Sequence, residues 1–150
     1  MKAVIQRVQH ASVTISNTKV ADIQQGILLL LGVAENDSQE DIGWLSKKIA
    51  NLRIFNDEEG VMNKSLIDVN GEMIVVSQFT LQASTKKGNR PSYLKAAKPT
   101  IAIPLYKAFV KEMELEIQKE VQTGEFGADM KVVLLNDGPV TIVIDTENKI

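Results

Sequence analysis

The chain has 150 residues, 44% of them hydrophobic and 24% charged, with a formal net charge of −2 at pH 7. These totals suit one domain, residues 1–150, with a substantial core, and they argue against indiscriminate binding to nucleic acid. With no cysteine and one histidine, disulfides, thiolate chemistry and a tight zinc site are excluded or disfavoured, as is any nucleophile that needs an imidazole.

Residues 2–8 and 12–16 alternate as two short strands joined at His10-Ala11, and residues 20–23 add a third. The N-terminal stretch lacks the apolar core of a signal peptide, and no run approaches the roughly 18 apolar residues of a membrane span, so a cytoplasmic protein without membrane contact is expected. Residues 27–33 are apolar on both faces and read as a central strand. Ser38 with Asp41 forms a capping-box pattern, after which Ile42, Leu45, Ile49 and Leu52 make one helical stripe with Trp44 at its edge. Residues 53–55 suggest a short strand.

Asn70-Gly71, between residues 66–69 and 73–79, reads as the turn of a hairpin. Residues 82–98 form a long basic loop. A second helix covers about residues 101–121, where Leu105, Phe109, Met113, Ile117 and Val121 recur every four positions and Pro104 is tolerable within the first turn. Two strands, 131–135 and 140–144, follow, and residues 146–150 read as a frayed tail. The order of strands, helix, hairpin, helix and strands favours an α+β fold.

Chemistry is sparse. There is no GxxxxGK[ST] or GxGxxG phosphate loop. Seven of the 17 basic residues lie between Met73 and Lys111, a segment without acidic residues. That segment is either a solvated face with countercharges elsewhere or a footprint for phosphates. Ser77-Gln78-Phe79-Thr80 ends a buried strand just before the basic loop. Its groups either close a turn or offer hydroxyls, an amide and backbone N–H donors to an oxyanion. Asn136-Asp137-Gly138-Pro139-Val140-Thr141 is either a hairpin turn or a rigid corner with a task, since proline fixes the chain and exposes carbonyls.

Those two stretches resemble the signature motifs of the D-aminoacyl-tRNA deacylases (D-tyrosyl-tRNA(Tyr) deacylase family). The likeness extends to residues 1–8, to Leu52-Arg53-Ile54-Phe55, to Lys87-Gly88-Asn89-Arg90-Pro91-Ser92 and to residues 123–130. It departs at Ala21, where glycine is expected, and at Ser84-Thr85, where an acidic residue is common.

The resemblance implies a barrel-like core of antiparallel and mixed β-sheets with two main helices packed on it. It implies a homodimer with active sites at the interface, no cofactor, no metal, and hydrolysis of D-aminoacyl-tRNA in translation quality control. Ser77, Gln78, Phe79 and Thr80 would surround the ester carbonyl. Gly138 and Pro139, joined by a cis bond and held by Arg7, would enter the partner's pocket and reject L-amino acids while admitting D side chains and glycine. Phe126, Gly127, Ala128 and Met130 would flank the terminal adenosine, and Lys86, Lys87 and Arg90 would follow tRNA phosphates. A general esterase with Thr80 as nucleophile and a non-catalytic RNA-binding module are the alternatives.

Overall fold

The computed structural model describes residues 1–149. Its organising element is β1 (Lys2–Ile15), one strand of 14 residues where the sequence suggests two. His10 lies within it, exposed and paired with Leu135 rather than serving as a connection. One edge of β1 pairs antiparallel with β3 (Gly26–Gly32) over residues 2–8 and with β2 (Thr18–Ile23) over residues 11–15. Its other edge carries β8 (Lys131–Asp145) along nearly its full length.

β3 is buried on both faces, as its unbroken apolar run demands. Its second neighbour is β6 (Glu72–Ser77), which pairs parallel to it and then parallel to the two-residue β7 (Gln122–Thr123). The side chain of Gln122 accepts from the Asp22 N–H at 2.7 Å and donates to the Asp22 carbonyl at 2.9 Å, drawing β7 to β2. The result is a nearly closed mixed barrel, α+β in class. A smaller core lies inside it, built on Val8, Ala11, Val13, Leu28, Ile74 and Val76.

The larger core lies between this sheet and the helices α1 (Gln39–Ala50) and α2 (Pro99–Ile117). The Ser38 N–H donates to Asp41 Oδ2 at 2.9 Å, closing one arm of the expected cap. Ile42, Leu45 and Ile49 are fully buried, each contributing about 1.5–3 kcal/mol of burial. Trp44 packs partly against this core. α2 begins earlier and ends earlier than its periodicity suggests. Pro104 therefore sits inside the helix, and Gln118 turns left-handed at its end.

The hairpin expected at Asn70-Gly71 does not form. Ser65 and Asp68 exchange hydrogen bonds that favour a single helical turn, and Asn70, at φ 50°, closes it with Asn70 N–H to Ile67 O and Gly71 N–H to Leu66 O. β6 leaves that turn to join β3, while residues before it form the small β4 (Phe55–Asn56) and β5 (Met62–Lys64) pair. Residues 131–135 and 140–144 are not hairpin arms either. Both run along β1 in one direction as a single strand, and residues 137–140 bulge out between the pairs Gln6/Thr141 and Val8/Asn136. Thr146, expected in the tail, is buried, and its hydroxyl accepts from the Met1 ammonium at 2.6 Å. Ile150 lies outside the described residues. No helix among the described residues is long and apolar enough to cross a membrane.

Candidate functional site

β6 ends at Ser77, level with Leu31 of β3, and the chain turns at once into a 3-10 turn, Phe79–Gln82. The turn is fastened to the strand beside it: the Gln78 N–H donates to Leu31 O at 2.8 Å, and the buried Gln82 amide donates to Gly32 O at 3.0 Å. Gly32 makes this approach possible, because a Cβ there would stand 2.9 Å from both the Gln78 carbonyl oxygen and Leu81 Cβ. The Leu81 and Ala83 N–H groups bond back to Gln78 and Thr80, whereas those of Phe79 and Thr80 open the turn without a carbonyl partner among the described residues. Two free N–H donors at a strand end are the equipment of an oxyanion site.

Beside that turn is a cavity of about 260 Å³ at the mouth of the small barrel. Ser77, Gln78 and Phe79 line one side and Phe126, Gly127, Ala128 and Met130 the other, with Val76 and Val132 as floor. Two groups that lie far apart in the sequence thus share one hollow. Thr80 is one residue beyond the rim. Its Oγ1 accepts from Gln78 Nε2 at 2.5 Å, a contact that orients the hydroxyl but supplies no base to remove its proton.

Tyr106, which the sequence did not mark, supports this region from α2. Its hydroxyl donates to Val75 O at 2.8 Å and its ring meets Phe126 edge-on at 6.0 Å. Burial pushes the phenol up to about 12, so it stays a donor. Tyr93 was also missed. It packs edge-on against the exposed ring of Phe79 at 5.1 Å, at the foot of a loop closed by Ser84 and Ser92, whose backbones exchange hydrogen bonds of 2.8 and 2.9 Å. Lys86, Lys87 and Arg90 are exposed on that loop and do not line the cavity.

The Gly138-Pro139 corner lies elsewhere. Its peptide bond is cis, and both residues are exposed. Arg7 is buried beneath it: Nε donates to the Asp137 carbonyl at 3.2 Å, and Nη1 donates to Ile54 O at 2.7 Å and Asn56 Oδ1 at 3.2 Å. Asn136 closes the base by donating to Arg7 O and Val140 O at 3.0 and 2.9 Å. Gly138, at φ 121°, is required here, since a Cβ would meet Val140 Cγ2 at 2.9 Å and Arg7 Nη2 at 3.0 Å.

Within one chain the corner and the cavity are not brought together. The corner opens level with Met73 of β6, four residues before Ser77 and three strands away, roughly 13 Å along the sheet and 14 Å across it.

The profile of the family described as D-Tyr-tRNA(Tyr) deacylase matches residues 4–145. A protein of Flavobacterium psychrophilum named D-aminoacyl-tRNA deacylase is 68% identical over 149 residues, which cover 99% of each chain. One of Parabacteroides distasonis with the same name is 66% identical over the same share. Among solved structures, one titled c-Myc DNA Unwinding Element Binding Protein superposes with a TM-score of 0.91 at 40% identity, covering 97% of this chain and 99% of the other. A probable eukaryotic D-amino acid tRNA deacylase superposes at 0.81 with 15% identity, covering 95% and 97%, a likeness of fold alone. With a family match over nearly the whole chain and relatives this similar, the protein belongs to the D-Tyr-tRNA(Tyr) deacylase family.

Proposed function

We propose that the chain hydrolyses the ester of D-aminoacyl-tRNA, releasing the amino acid and tRNA, as cytoplasmic proofreading of translation. The observation that carries the reading is a hollow formed by Ser77, Gln78, Phe79, Phe126, Gly127, Ala128 and Met130, beside a turn whose Phe79 and Thr80 N–H groups have no backbone partner among the described residues. The ester carbonyl sits against those N–H groups, which stabilise the oxyanion as water adds. The ribose–oxygen bond to the acyl carbon then breaks, and the ribose hydroxyl leaves with the proton. The neighbouring 2′-hydroxyl of the substrate helps activate the water. The terminal adenosine lies along residues 126–130, and Lys86, Lys87 and Arg90 follow the phosphates.

Discrimination in this reading comes from a second copy of the chain. β8 has an unpaired outer edge among the described residues, with Val133 and Leu135 exposed, a surface that favours pairing with another subunit. In the dimer, Gly138 and Pro139 of one subunit stand beside the substrate α-carbon in the other's cavity. An L side chain meets their backbone, a D side chain points away, and glycine has nothing to clash.

Matched D- and L-tyrosyl-tRNA, together with glycyl-tRNA, test this. Release of D-tyrosine and glycine with L-tyrosyl-tRNA intact is expected. No release from any of the three sinks the hydrolase reading, and equal release of both tyrosine enantiomers sinks the rejection mechanism.

A further inference from the structure

Trp44 is the only tryptophan of the chain, and its half-buried indole stands between two hollows on the outer side of α1. The larger, about 510 Å³, runs past Lys47, Lys48, Asn51 and Arg53; the smaller, about 290 Å³, passes Val143 of β8 and Lys149. Lys149 Nζ lies 4.4 Å and Lys48 Nζ 5.8 Å from the indole centroid. Lys47, Lys48, Arg53 and Lys149 are all exposed, and none forms an ion pair among the described residues. Arg53 is instead braced by Asn63, donating from Nε to its carbonyl at 3.0 Å and from Nη2 to its Oδ1 at 2.7 Å.

The helix dipole explains Lys47 and Lys48 in the last turn of α1, opposite Glu40 and Asp41 in the first. It does not explain Arg53, which lines the larger hollow from beyond the helix, or Lys149, whose ammonium stands over the ring. Among the described residues, Asp145 is the one carboxylate bordering either hollow, against four cations, on a chain of net charge −2. An aromatic face bracketed by unpaired cations matches a polyanion that carries flat rings: the phosphates bind the cations and an unpaired base lies against the indole.

We propose that this Trp44-centred patch is a second contact for tRNA, holding the nucleic acid away from its aminoacyl end. The proposal rests on the reading of tRNA as substrate. The patch is well placed for it, because the smaller hollow borders β8 at Val143, four residues along from Pro139.

The lone tryptophan makes its own probe. Titration with unfractionated deacylated tRNA, which needs no chemistry, should quench Trp44 emission saturably, and less so at higher salt. K47E/K48E should weaken tRNA binding on the order of tenfold and make log Kobs against log[salt] shallower by about 1.4–1.8, the share of two phosphate contacts. With D-tyrosyl-tRNA the same variant should raise KM and leave kcat unchanged, with an unaltered solution mass. Trp44→Leu, which keeps an apolar side chain against the core, should weaken binding several-fold by filter retention. Unchanged emission with a wild-type salt slope in K47E/K48E overturns the proposal even if D-tyrosyl-tRNA is hydrolysed. A changed solution mass with unchanged tRNA affinity also overturns it, making the patch a protein contact. Quenching without any hydrolysis supports the patch and sinks the hydrolase reading instead.

Discussion

Arg7 holds Asp137 at two points, with Nε 3.2 Å from its carbonyl oxygen and 3.3 Å from its carboxylate. The other arm of the guanidinium reaches Ile54 and Asn56, so one buried side chain ties the Gly138-Pro139 corner to the segment that follows α1. Lysine keeps the charge but lacks the fork that spans both partners. Arg7→Lys is therefore expected to lose about 2–3 kcal/mol in urea unfolding. In hydrolysis assays its preference for D- over L-tyrosyl-tRNA should fall more than its rate on the D substrate. An unchanged preference would separate Arg7 from rejection.

Gly32 is expected to be as sensitive as any residue in the cavity wall. A methyl group there displaces the Gln78 carbonyl and Leu81, and with them the N–H groups of Phe79 and Thr80. Gly32→Ala should lower kcat by about 10²–10³, the cost of misplacing an oxyanion donor, while circular dichroism stays near wild type. Full activity would exclude those N–H groups from the reaction.

Thr80 separates the two chemical mechanisms. Its hydroxyl accepts from Gln78, and no base bonds to it among the described residues, so Thr80→Ala should retain activity within about tenfold, the loss coming from a less firmly held turn. Loss by a factor near 10⁴ or more, with the fold intact, would restore Thr80 as nucleophile.

Charge reversal at Lys86, Lys87 and Arg90 should raise KM for aminoacyl-tRNA and flatten its salt dependence, without reducing kcat at saturation. Gel retardation over a salt series gives the comparison. Unaltered binding would return the loop to the status of a solvated face.

Acid stability should depend on two turns far from the cavity. Hydrogen bonds from the Asn63 side chain and the Val61 N–H hold Asp57 below its ordinary 3.8, and the Ser65 N–H and hydroxyl do the same for Asp68. A depressed carboxylate contributes stability that is complete above the unfolded value and is lost as pH falls through the folded one. Asp57→Asn/Asp68→Asn should therefore show a smaller drop in urea midpoint between about pH 5 and pH 2 than the wild type.

The helices and the central strand were legible because each rests on local pattern: the cap at Ser38, the stripe of Ile42, Leu45 and Ile49, and the unbroken run of β3; the two signature stretches stood out only by their resemblance to a family. The errors arose where tertiary pairing overrides local chemistry. Asn70-Gly71 is strong turn chemistry, but the Ser65–Asp68 bonds commit the preceding residues to a helical turn, and β6 finds its partner in β3. His10 interrupts the pattern of β1 without interrupting the strand, because β2 takes over from β3 along one edge while β8 continues on the other. Residues 77–80 and 126–130 were named for the site, but their shared cavity depends on long-range packing. Gly32 and Tyr106 support it through contacts that leave no trace in spacing.

The bulge in β8 also carries an arithmetic constraint. From Leu135 to Thr141 the strand advances six positions, while its partner passes from His10 to Gln6 in four. Because β1 itself holds one extra residue between Val8 and His10, the corner adds three, an odd number, so Leu134 packs on the core inside the barrel while Ile142 packs on the core under the helices. One residue more or fewer would leave the two halves out of phase, and one of them would have to present its apolar side to water or give up its pairing. The corner's length is thus set by parity as well as by reach, and indels there should be tolerated in pairs far better than singly.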